Sequence, residues 1–169
     1  MKRTTALLII ALALAMVACD RNDALGPPAI RLGEDVCVEC NMIISDRRWA
    51  TATIVQGSRG PQARLFDDFN CQVNYELGHG EESILARWSH DHALGQWIRT
   101  EAANFLITDT MRTPMGSRMA AFRDLSEAMA AKTQTPGEVV DFLSAWKHLG
   151  HADPWKPEGE LSKGKPDGG

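Results

Sequence analysis

Ala63-Arg64-Leu65-Phe66-Asp67-Asp68-Phe69-Asn70-Cys71-Gln72-Val73 passes from a strand pattern into a helical one, and the rest of the fold organises around that junction. Upstream, Ala50 to Val55 (ATATIV) is rich in β-branched residues and runs into the turn Gly57-Ser58-Arg59-Gly60-Pro61. Ala63 to Phe66 then resumes an extended pattern, so the two runs are expected to form a hairpin. Downstream, Asp67 or Asp68 can cap a helix, because a carboxylate accepts from the orphan N–H groups of a first turn. Phe69, Val73 and Leu77 recur at four-residue spacing and share one face of that helix. Ile84 to Trp88 is expected as the next strand.

The second half repeats this order. Ala103 to Thr108 and Met119 to Phe122 read as strands, and Asp124 with Glu127 reads as a capping box opening a helix that stops at Gln134 to Gly137. Glu138 to Phe142 reads as a last strand. Phe66-Asp67-Asp68-Phe69 and Phe122-Arg123-Asp124-Leu125 echo one another at the two strand-to-helix junctions. The expected fold class is therefore α+β, built from two ββαβ units. Residues 36–98 form the first, including a connecting hairpin from Trp88 to Ile98 around Gly95, and residues 99–151 form the second.

The ends have a different character. Residues 1–18 carry Lys2 and Arg3 and then an apolar run from Ala6 to Ala18, too short for a permanent membrane helix, which is the pattern of a secretory signal. Met16-Val17-Ala18-Cys19 resembles the lipobox of bacterial lipoproteins, which implies cleavage before Cys19 and lipidation of that residue. Asp20 behind the lipidated cysteine favours the inner membrane, on the periplasmic side of the envelope. Residues 19–35, rich in Pro, Gly and polar groups, read as a flexible lipidated tether, and residues 152–169 as a disordered tail. The whole chain has a formal charge of -4; losing Lys2 and Arg3 but no acid brings it to -6. A basic nucleic-acid footprint is absent.

The chemistry concentrates in Cys37-Val38-Glu39-Cys40-Asn41-Met42, a C-x-x-C-x-M arrangement where the tether ends. Two thiols three residues apart reach one ion, and a thioether two residues on can join them. Both donors are soft, and thioether adds little to Zn²⁺, so the set leans towards Cu(I). Met115, in the turn Thr113-Pro114-Met115-Gly116, is a candidate donor from across the fold, whereas Met119 and Met129 fit core positions. Cys71, on the apolar side of its helix, reads as core filling ahead of a ligand. His79, His90 and His92 read as surface residues, any one of which could complete a copper shell; His148 and His151 have weaker claims. Asp67 and Asp68 read as caps and Asp109 as a turn residue.

Other readings of the cysteine pair stay open: a structural disulfide, or redox or zinc chemistry. The motif does not open a helix after a strand, which is what lowers the attacking thiol's pKa in thioredoxin-like proteins. Zinc would ask for a second pair of ligands at the usual spacing.

Taken in order, the lipobox, CVECNMIISD, RLFDDFNCQVNYE and GQWIRTEAANFLITDTMRTPMGSRMAAF resemble the NosL family of lipoprotein copper chaperones, over about Val36 to Phe142. The resemblance implies two ββαβ units akin to the organomercurial-lyase fold. It implies a non-enzymatic role, with Cu(I) held by cysteine and methionine and optionally a nitrogen donor. Its implied partners are nitrous oxide reductase, whose copper centres the family helps to assemble, and that pathway's membrane transporter complex. Cys37, Cys40 and Met42 match the family's C-x-x-C-x-M, and Met115 matches its Thr-Pro-Met-Gly loop. Arg118 departs from a position that is usually small and Gly-like. The rival functions are a thiol-disulfide oxidoreductase, an organomercurial lyase, or a lipid-anchored domain with a structural disulfide.

Overall fold

The structure, a computed structural model, describes residues 24–149. The signal, Cys19, Asp20, His151 and the expected tail lie outside the described residues. Strand β1 (Thr51–Gly57) and strand β2 (Gly60–Phe66) form the expected hairpin, with Thr51 opposite Phe66 and Gly57 opposite Gly60. Gly60 turns the chain at φ +112, a conformation that side chains rarely adopt. Helix α1 (Phe69–Gly78) follows, and its cap is Asp68, whose carboxylate accepts from the Asn70 N–H. Strands β3 (Ile84–His90) and β4 (Trp97–Arg99) pair as the connecting hairpin, giving a sheet ordered β2-β1-β3-β4. Thr51 to Val55 of β1 are all buried, because a central strand covered on both faces has no solvent side.

Strands β5 (Asn104–Ile107) and β6 (Met119–Phe122), helix α2 (Leu125–Gln134) and strand β7 (Glu138–Val140) repeat the plan. Their sheet is ordered β6-β5-β7, so in each half the first strand sits between the second and third, antiparallel to both. Two details differ from expectation. The Asp124–Glu127 capping box does not form: Asp124 is exposed and makes no side-chain cap bond. Its counterpart in stitching this junction is Asp91, fully buried, whose Oδ2 accepts the Arg123 N–H at 2.7 Å while Oδ1 accepts from the Ala93 and Leu94 N–H groups. The expected last strand also ends early. Asp141 accepts from the Ser144 N–H at 2.8 Å and opens helix α3 (Phe142–His148), which buries Phe142, Ala145 and Trp146 on one face.

The main core mixes the two halves. Phe69 and Val73 of α1 pack with Ile98, Phe105, Met119, Phe142 and Trp146, and the Phe69 and Phe105 rings lie 4.9 Å apart. Met119 is core, as expected; Met129 is not, being 47% exposed on the outer face of α2. Before β1, the chain lies along the body: the Trp88 indole donates to Leu25 O at 3.1 Å, and Ile30 packs beside Cys37, Ile44 and Phe66. Among the described residues no helix is long and apolar enough to cross a membrane.

Candidate metal centre

Cys37 to Met42 folds as a tight knuckle. Val36 and Ile43 face each other in an antiparallel bridge, the Cys37 N–H donates to Met42 O at 2.8 Å, and the Asn41 N–H donates to Cys37 O at 2.9 Å. The loop closes because Asn41 takes φ 61, a left-handed conformation that asparagine tolerates better than most side chains. The Val38 N–H donates to Leu65 O at 3.0 Å, docking the knuckle on the end of β2.

That docking sets the knuckle over the start of α1. Asp67 precedes the cap residue, and Cys71 lies in the first helical turn. Ligand atoms of Cys37, Cys40, Asp67 and Cys71 all lie within 4.8 Å of one another. A tetrahedral site with metal–sulfur bonds of about 2.3 Å has sulfurs about 3.8 Å apart, so a small contraction would close this group on an ion. None of the three cysteines is bridged. Cys37 and Cys71 are buried and Cys40 is partly exposed, in an apolar setting of Ile44, Ala50, Phe66 and Tyr75. The Cys40 thiol donates to the Asp67 carboxylate, 3.5 Å from each oxygen.

The three sulfurs are electrostatically unequal. A hydrogen bond from the Cys71 thiol, joined by backbone N–H groups of Cys40, Asp67 and Glu39, holds the Cys37 thiol down to about 6. Burial, together with the nearby Cys37 charge, pushes Cys40 up to about 11. Cys71 is raised by its hydrogen bond to Cys37, by burial, and by the charges of Cys37 and Asp67. Cys37 is thus the sulfur that loses its proton most readily, and Cys71 beside it lies in the N-terminal turn of α1, where the helix dipole favours an anion. Such a site gives up its thiol protons to an incoming cation.

A family model described as NosL matches residues 30–145, a span that holds the knuckle, Asp67, Cys71 and the Met115 loop. The chain belongs to the NosL family. Its fold is similar to the crystal structure of the copper chaperone NosL from Shewanella denitrificans, with 18% sequence identity and a TM-score of 0.57 over 70% of this chain and 93% of that one. At that identity the likeness is one of fold. No curated protein matches.

In this NosL chain, Cys37 and Cys40 meet as the motif requires. Met42 follows Cys40 by two residues and is 52% exposed; Met115 is 38% exposed on a loop whose main chain is bonded to Asp68 and Asn70 at the start of α1. Cys71 is buried, as a core residue would be, yet its sulfur faces the other two. Asp67 is no cap, since Asp68 fills that role. The signal for both was the four-residue spacing from Asp67 to Cys71 across a helix start; what it lacked was any local hint that the knuckle docks there. Among the described residues the histidines stay outside the group. His79 stacks on Tyr75 at 4.0 Å, His90 is buried against Trp97 with Nδ1 2.8 Å from Ala50 O, and His92 lies between Trp49 and Phe122. The reading of His90 as a surface residue is therefore corrected, because it is 2% exposed. Arg118 occupies φ 56, which explains why a small residue suits the position, and its guanidinium pairs with Asp109 at 2.7 Å.

Proposed function

We propose that this chain is a Cu(I) carrier of the bacterial cell envelope, lipid-anchored through Cys19 on the periplasmic face of the inner membrane. It delivers copper for the assembly of nitrous oxide reductase, alongside that pathway's membrane transporter complex, and catalyses no reaction itself. The observation that carries the reading is the convergence of three unbridged cysteine sulfurs within 4.8 Å, with Cys40 at the open side. Thiolates are the ligands that Cu(I) prefers, and two or three of them suffice for it. Membership of the NosL family and the likeness in fold to a copper chaperone support the same cargo. Cys37, Cys40 and Cys71 hold the ion, and Met42 and Met115 stand ready as thioether donors. A partly exposed Cys40 lets an incoming ligand from the recipient bind before an old one leaves.

One observation favours a second reading. The Asp67 carboxylate completes a three-sulfur, one-oxygen set that also suits Zn²⁺. Competition titrations with Cu(I) and Zn²⁺ on the parent and on Asp67→Asn separate the two. For a Cu(I) carrier, Asp67→Asn weakens Zn²⁺ by about tenfold or more and leaves Cu(I) nearly unchanged. The Cys37→Ser, Cys40→Ser double variant loses Cu(I). Undiminished Cu(I) affinity in that double variant refutes the site; Zn²⁺ that holds the parent site against Cu(I) in the competition would favour the zinc reading.

A further inference from the structure

Asp68 does more than cap α1. It is 1% exposed, and its Oδ1 accepts the Asn70 N–H at 3.3 Å, which is the capping bond. Its Oδ2 accepts three donors from the loop between β5 and β6: Thr113 Oγ1 at 2.7 Å, the Met115 N–H at 2.7 Å and the Ser117 N–H at 3.3 Å. Asn70 Nδ2 donates in turn to Met115 O at 3.0 Å. Both polar groups of the Met115 main chain are thus bound to the helical turn that follows Asp67 and carries Cys71. A helix cap needs one such acceptor, whereas this carboxylate gathers a loop more than 40 residues away in sequence. The loop's turn is built for it, with Gly116 at φ 77 and Arg118 at φ 56. The methionine so placed is 38% exposed, whereas Met119 just beyond it is 3% exposed in the core.

We infer that Asp68 is a positioning residue: through the Thr113–Ser117 loop it fixes Met115 as a thioether that closes over Cu(I) held by the three cysteines, an assignment that rests on the copper-carrier reading. A thioether is neutral, so it is the donor that leaves most readily. Hand-off begins by exchanging the Met115 sulfur–copper bond for a bond to a neutral donor of the recipient, a thioether sulfur or an imidazole nitrogen. In that exchange the metal stays Cu(I), and no proton or electron moves.

Selenomethionyl full chain carrying Met42→Leu as the parent background and loaded with Cu(I) tests this by selenium-edge X-ray absorption, which reads a copper–selenium contact, and by the rate at which a Cu(I) chelator withdraws the metal. The expected result is a contact in the parent that is lost in Met115→Leu and in Asp68→Ala, with copper still bound. Withdrawal becomes several-fold faster in each variant and no faster in the double variant. Thr113→Val keeps the capping bond to Asn70 while removing one donor to Oδ2, so it is expected to weaken the contact even if Asp68→Ala fails to fold. A parent that binds copper with no selenium contact overturns the inference, as does a contact that survives Met115→Leu or is undiminished in Thr113→Val. Failure of the carrier reading looks different: copper affinity would then be undiminished in the Cys37→Ser, Cys40→Ser variant.

Discussion

Cys71 shows how one residue satisfies two demands. Its side chain is small, apolar and fully buried, so helix periodicity alone assigns it to the core. What makes it a candidate donor is the arrival of Cys40 and Cys37 from 31 and 34 residues upstream, a contact that no local pattern announces. His90 is a second residue with a hidden environment. Burial holds its pKa down to about 4 from 6.5. The unfolded chain takes up a proton near pH 6.5 that the folded chain refuses until about pH 4. Stability from this group is therefore full above pH 6.5, falls by up to ~1.4 kcal/mol per pH unit through the window, and levels off below it. Urea unfolding between pH 7.5 and pH 4.5 should show that slope in the parent and a shallower one in His90→Gln; equal slopes would remove His90 as its source.

Elements were legible where the signal is local. The β1–β2 hairpin follows from a β-branched run and a glycine turn, and α1 follows from the spacing of Phe69, Val73 and Leu77 behind an aspartate cap. The same reasoning misplaced the cap chemistry of the second half, where the buried Asp91 takes the Arg123 N–H from outside the helix and Asp124 is left in solvent. It also ran the last strand through Asp141, although that carboxylate is the cap of α3. Trp146 at the far end of α3 is what rewards the helix, since it buries a large ring that a strand would have turned outward. Asp141→Ala should lower stability by about 1 kcal/mol, as read from the urea midpoint. No change there would mean that packing of Phe142 and Trp146 alone sets the start of α3.

At the scale of the whole molecule, the repeat in the sequence became a repeat in topology, with β2-β1-β3 and β6-β5-β7 following one plan. The two halves nonetheless share a core, in which α1 of the first packs on β5 of the second through Phe69 and Phe105. They are expected to unfold together. Phe105→Ala should cost about 3–5 kcal/mol and shift a single transition seen alike by tryptophan fluorescence and by far-ultraviolet circular dichroism. Two separated transitions would show that the halves are independently stable. The shared core also anchors a knuckle from the N-terminal stretch and a loop from the second sheet to neighbouring residues at one junction: the knuckle bonds to Leu65, and the loop bonds to Asp68 and Asn70.

The sulfur group is the centre of this account, and copper-edge X-ray absorption on the Cu(I)-loaded chain addresses it most directly. The expected shell contains sulfur neighbours, without a nitrogen or oxygen at bonding distance, and loses one sulfur in Cys71→Ser. A shell dominated by nitrogen or oxygen, or one unchanged by removing Cys37 and Cys40, would contradict it.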